Sequence, residues 1–159
     1  MSRQTPHERV VIGPALIPAN VGNSAVNGPA ISSPWKIGRY ISFLLVAGAM
    51  TTNDALTIKV QSQDAAGTWS DVTEADGTTT LQFTAANTAD GGSLESGSLL
   101  GTIDLSRFDF PTTDAKAVRL SAINAVAQNV LLSAVYQISD LYTLPGSQAD
   151  DLLSKALWV

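Results

Sequence analysis

The groups from which a chemical site could be built are few: fourteen carboxylates, one histidine and no cysteine. The lack of cysteine removes disulfides, thiol nucleophiles, cysteine zinc sites and iron–sulfur ligation together. His7 follows Pro6 in a stretch with nothing to orient it against a serine, and it reads as an exposed residue of an arm. Gly91-Gly92-Ser93 runs into Leu94-Glu95 without a lysine, so no phosphate-cradling loop is encoded. Gly97-Ser98-Leu99-Leu100-Gly101 has its serine one position too early for a nucleophile elbow. Carboxylates remain. Asp64, Asp71, Glu74 and Asp76 border two turns that flank one strand, and Asp90 and Glu95 lie in a long polar loop. Two or three of these converging with backbone carbonyls could hold calcium, although the spacing is not that of an EF-hand. Acidic residues at turns are equally what turn chemistry selects. Paired carboxylates for glycoside hydrolysis want an aromatic groove, and aromatics are only 6% of the chain. The sequence points away from an enzyme and calls for no metal or cofactor.

The elements that would position these residues must be built from a charge-poor chain. Its 159 residues are 45% hydrophobic and only 14% charged, against a usual ~25%. At this length one domain is expected, burying about two-thirds of the surface of the unfolded chain. The net charge is −5. The nine basic residues are scattered without a run, so no phosphate-tracking stripe and no nucleic-acid partner are expected. The opening Met-Ser-Arg-Gln-Thr-Pro-His-Glu-Arg has no apolar core of a signal peptide. The longest apolar run, Ile41 to Met50, is interrupted by Ser42 and Gly48 and is half of the ~20 residues a membrane helix needs. No membrane partner is expected.

Residues 1–35 differ from the rest. Five of the seven prolines fall between positions 6 and 34, interleaved with Gly13, Gly22 and Gly28, so no long element is expected there. The stretch is nonetheless nearly uncharged and carries Leu16, Ile17, Val21, Val26 and Ile31. It reads as an extended N-terminal arm lying on a surface, its own or a partner's, with Trp35 at the junction to clamp it. Residues 36–144 are expected to form a β-sandwich body, and from Arg39 onward the period is two. Tyr40 to Ala47 is apolar on both faces, as in a central strand or one covered from outside. Leu56 to Gln61 alternates cleanly, Asp64-Ala65-Ala66-Gly67 is a hairpin signal, and Thr68 to Thr73 returns with Trp69 as a core anchor. Strands over Thr79–Thr84, Leu99–Leu105, Val118–Ala122 and Val130–Tyr136 follow. The fold class is all-β, an antiparallel β-sandwich or jelly roll. Over 145–159 a short C-terminal helix is expected, capped by Ser147, with Leu152, Leu153, Ala156 and Leu157 on one face and Trp158 beyond. Such a terminus either tucks onto its own sandwich or plugs into a neighbour.

The strand Asp54-Ala55-Leu56-Thr57-Ile58-Lys59-Val60-Gln61-Ser62-Gln63-Asp64, followed by Gly67-Thr68-Trp69-Ser70-Asp71-Val72, resembles virion structural proteins of tailed bacteriophages over positions 40 to 73. The nearest type is the capsid decoration, or cement, class. That resemblance implies a homo-oligomer (dimer or trimer) on the exterior of a virion capsid, bound to the major capsid protein and bridging neighbouring capsid subunits. It also implies synthesis in the host cytoplasm. On this reading Leu16, Ile17, Val21, Val26, Ile31 and Trp35 of the arm, and Leu152, Leu153, Leu157 and Trp158 of the C-terminus, would be the partner-binding residues. Removal of residues 1–34 would then leave a folded body unable to bind its shell. A carbohydrate-binding or adhesion module is the alternative, and a tail-tube or connector protein would share the same features.

Overall fold

The computed structural model describes residues 10–50, 54–73, 77–86, 97–105, 115–127 and 129–142. Alternation of apolar and polar residues sets the strands, and the register of their pairing sets the sheets. Strands β1 (Val11–Val21), β10 (Val130–Leu141), β4 (Gly38–Ala47) and β8 (Gly97–Asp104) form one antiparallel sheet in the order β1-β10-β4-β8. The second sheet centres on β9 (Ala117–Asn124) and β5 (Ala55–Gln63). Two short strands, β2 (Val26–Asn27) and β3 (Ile31–Ser32), both pair with β9, and β6 (Trp69–Asp71) and β7 (Gln82–Ala86) both pair with β5. Counting each interrupted pair as one strand gives eight, ordered 1-8-3-6 in one sheet and 2-7-4-5 in the other. That is the double Greek-key order of a jelly roll, the second of the two all-β forms expected. A four-residue helical turn, α1 (Pro34–Ile37), starts on Pro34 and links β3 to β4.

The core lies between the sheets. Ile41, Phe43 and Leu45 of β4 and Leu132, Ala134, Tyr136 and Ile138 of β10 face Leu56, Ile58 and Val60 of β5 and Val118, Leu120 and Ala122 of β9. The rings of Phe43 and Phe83 meet edge to face across the sandwich, 6.3 Å apart. Gly101 makes that approach possible, because a Cβ there would strike the Phe83 ring. One end of the sandwich is tied by a buried polar knot. Asn124 Nδ2 donates to Asp54 Oδ1 at 2.7 Å, the Ala55 N–H donates to Asn124 Oδ1 at 2.9 Å, and the Asn124 N–H donates to the Gly22 carbonyl. Three segments distant in sequence are thereby joined without a stranded buried donor.

Two expectations change. From Val11 onward the proline-rich N-terminal stretch is not an arm but an integral part of the body. β1 runs for eleven residues through Pro14 and Pro18. It pairs only with β10 among the described residues, so a proline lacking an N–H costs no ladder bond on its outer side. Register shifts between Pro14 and Leu16, and between Leu16 and Ala19, absorb the irregularity as bulges. The boundary at residue 35 therefore does not divide the molecule, and deletion of 1–34 would remove core. Trp69 is not a core anchor either. It pairs with Gln63 on the solvent side of its sheet, half-buried under the Arg119 guanidinium at 4.2 Å. The C-terminal helix expected over 145–159 lies outside the described residues.

Candidate functional site

On the four-stranded sheet the outward residues of adjacent strands form rows, and the rows change character along the sheet. At one end Tyr40 stands beside Ser139 and Asp104, with Arg39 paired to Asp104 at 3.2 Å and stacked over the Tyr40 ring. Its bond to the Asp104 carboxylate raises the Arg39 pKa above its ordinary value. The next row is Gln137, Ser42 and Thr102, the two hydroxyls 2.9 Å apart. One step further the polarity inverts. Val135 lies beside Leu44, then Ser133 beside Val46, with Leu131 beyond, and all four of these large apolar side chains are more than 40% exposed. The both-sided apolarity of Tyr40–Ala47 is thus half explained by the core, and the outward half is open to solvent among the described residues.

Beside this apolar half, at the bulged part of β1, lies a groove of about 530 Å³. Pro14, Ile17 and Pro18 of β1, Leu44 and Val46 of β4, Val135 of β10 and Pro29 line it. Among the described residues Ser133 is the sole polar side chain that lines it. Ile17 is 65% exposed and forms the crest between this groove and a smaller one of about 390 Å³ toward Val26 and Gly28. Apart from the Ser133 hydroxyl, the side chains that line this surface are apolar. It offers apolar area and shape.

On the opposite outer face charged and amide side chains of β5, β6 and β9 pair with one another. Lys59 Nζ donates to Asp71 Oδ2 at 2.7 Å, Gln61 Nε2 donates to Asp71 Oδ1 at 2.9 Å, and Arg119 Nε donates to Gln61 Oε1 at 2.9 Å. Burial pushes the Asp71 pKa up, but the bonds from Lys59 and Gln61 outweigh it and leave the carboxyl below its ordinary value. Burial lowers that of Arg119. Asp64 accepts from the Thr68 N–H at 2.8 Å within a turn that Gly67 closes with a φ of 93°. Of the carboxylates considered for calcium, Asp64 and Asp71 are thus taken up by turn and strand contacts. Glu74, Asp76, Asp90 and Glu95, like His7, lie outside the described residues. Among the described residues no three acidic or histidine side chains are grouped as a metal would require, and no helix is long and apolar enough to cross a membrane.

No family model matches this chain, and no curated protein does. Several solved structures are similar. The VP2 subviral particle of infectious bursal disease virus aligns at a TM-score of 0.46 and 13% identity, over 83% of this chain and 33% of that one. The Gx strain of the same virus aligns at 0.44 and 16%, over 81% of this chain and 31% of that one. A TNF protein of S. frugiperda, Eiger, aligns at 0.39 and 13%, over 92% of this chain and 99% of that one. The chain spans about a third of the length of the two viral chains. Function has to come from the surface itself.

The residues that sequence pattern assigned to partner binding are placed unequally. Leu16, Val21 and Ile31 are 3% exposed or less and belong to the chain's own core, while Val26 and Trp35 pack against it half-buried. Of the six N-terminal positions Ile17 alone projects. Leu152, Leu153, Leu157 and Trp158 lie outside the described residues. The sequence reading missed Leu44, Val46, Leu131 and Val135 as surface residues. Their signal was present, since a strand apolar on both faces needs a cover on each, but which face lacks one follows only from the pairing.

Proposed function

We propose that this chain is a structural association protein that docks through the apolar half of its four-stranded sheet, and that its partner is the outer surface of a phage capsid. The observation that carries this is the row of Leu44, Val46, Leu131 and Val135, with Ile17 beside it, exposed together on a charge-poor β-sandwich. Contiguous apolar surface with a polar margin marks an interaction site rather than ordinary surface scatter. The finer role follows the resemblance of positions 40 to 73 to virion proteins: a homo-oligomeric decoration protein bound to the major capsid protein and bridging neighbouring subunits. A jelly roll suits that work, because its sheets hold a flat docking face rigid while its loops remain free to vary. Repetition over a lattice would multiply a modest single contact.

The reading is tested with Leu44→Glu and Val135→Glu. Both positions are outward, so the circular dichroism spectrum and melting temperature should stay close to those of the parent. Cosedimentation with phage capsid shells should fall at least tenfold. Binding that persists at full strength in both variants would overturn the reading, and a glycan-array signal from the parent would favour the carbohydrate-binding alternative.

A further inference from the structure

We propose that Arg119, on the outer face of the second sheet, anchors a second docking site, and that its ligand is a carboxylate side chain of an acidic protein segment. The site stands apart from the rows of Leu44 and Val135 and does not depend on how that face is read.

The guanidinium is held in place without being used up. Its Nε–H donates to Gln61 Oε1 at 2.9 Å, and its Cζ lies 4.2 Å from the centre of the Trp69 ring. Among the described residues its Nη1 and Nη2 groups have no acceptor and no carboxylate pairs with it. The side chain is half-buried, so burial works against its charge with no opposite charge to offset it. A planar fork with both terminal nitrogens free takes a carboxylate through two parallel hydrogen bonds. Because the ring contact and the Nε bond already fix this fork, little rotamer freedom remains to be lost when such a pair forms.

The surroundings select the charge of the ligand. Lys116 immediately precedes β9, and its Nζ donates to the Ala65 carbonyl in the turn between β5 and β6, at 2.6 Å. Ser33 donates to the Lys116 carbonyl through both its N–H and its Oγ, which brings α1 and its Lys36 to the same corner. Neither lysine has a carboxylate partner among the described residues. Of the acids on the adjoining strand and turn, Asp71 is neutralised by Lys59, and Asp64 accepts from the Thr68 N–H. Lys36, Lys116 and Arg119 thus face Asp64 as the one carboxylate there without a cation, on a chain whose net charge is −5.

The class of partner follows from what is already occupied. A saccharide is read by an open aromatic face and free amides. Here the guanidinium covers a face of Trp69, and the Gln61 and Gln63 amides are bonded to Asp71, Arg119 and the Gly67 carbonyl. A nucleic acid calls for a run of cations along its backbone, which this corner lacks. A side-chain carboxylate needs only the fork, and the two lysines add attraction for a neighbouring acid.

The probe is a fluorescently labelled hexaglutamate peptide, added to the full-length protein. Its anisotropy should rise at about 0.02 M salt and fall back by about 0.3 M, as the Debye length shrinks. Hexaglutamine should not bind. Arg119→Gln should weaken binding at least tenfold, and Arg119→Lys, which keeps the charge without the fork, several-fold. Arg39→Gln should leave it nearly unchanged, because that arginine is already paired with Asp104. In the parent protein, hexaglutamate should also shift the Arg119 Nε–H resonance of a proton–nitrogen spectrum. A purely structural arginine would not respond, and this readout needs no variant to fold. No binding by the parent, equal binding of hexaglutamine, or full binding by Arg119→Gln would each overturn the proposal. So would tighter binding of tetragalacturonate than of hexaglutamate, which would reassign the site to an acidic saccharide.

Discussion

Asp71 shows how little of a local network can be read from residue types. In the sequence it is one of several acids near turns, a possible calcium ligand. In the fold it takes Lys59 from its own sheet neighbour and Gln61 from the same row, and Gln61 in turn takes Arg119. Trp69 was misassigned for the same reason. A tryptophan on a short strand is equally compatible with either face, and the cross-strand partner Gln63 decides that it lies outside under Arg119. The Asp71 contacts carry a pH signature. Its carboxyl is held below the ordinary carboxylate value, so the stabilisation it contributes is complete above that ordinary value and is lost as pH falls through the lowered one. Both partners of the ion pair are about one-third exposed, which limits the effect to that of a surface pair, a few tenths to about 1 kcal/mol. The expected outcome for Lys59→Met is a melting temperature about 1–3 °C below the parent at neutral pH, with the gap closing in acid below the carboxylate range. A gap that persisted in strong acid would assign the loss to packing of the lysine stem instead.

At the scale of elements, local pattern and non-local pairing divided the work. β5 was legible from its clean alternation and β4, β9 and β10 from short runs rich in apolar and β-branched residues, and the Asp64–Gly67 turn was legible from its residues. β1 was not. Pro14 and Pro18 are strong signals against a strand, and what overrides them is an edge position, a property of the sheet rather than of the segment. Prolines and bulges are also among the devices by which proteins blunt an exposed sheet edge. β1 supplies Val11, Ala15, Leu16 and Val21 to the core. At about 1.5–3 kcal/mol for each large side chain, their loss takes most of the 5–15 kcal/mol by which a domain of this size is stable. Deletion of residues 1–21 should therefore give a chain without cooperative thermal unfolding and with collapsed amide dispersion in a proton–nitrogen NMR spectrum. In the intact protein, limited proteolysis should spare the bonds from 11 to 21, which are held in the ladder to β10. A well-dispersed spectrum from the truncated chain would mean that β1 is dispensable, as the arm reading supposed.

For the whole molecule the deciding quantity is the small number of charges. A net charge of −5 and 14% charged residues leave little electrostatic attraction to offer a partner, and the exposed rows around Leu44 and Val135 offer none. Association through this face would be driven by removal of apolar surface from water, which has two measurable consequences. Binding should show a negative heat-capacity change in calorimetry. It should also resist salt. An interface held by ion pairs weakens as the Debye length shrinks from about 30 Å at 0.01 M to about 10 Å at 0.1 M. Here added salt would instead screen the mutual repulsion of acidic chains crowded on a lattice, so occupancy of shells should hold or rise from about 0.01 M to about 0.5 M sodium chloride. Release of the protein by salt within that range, with a heat-capacity change near zero, would place the binding energy in charged loops and not on the sheet.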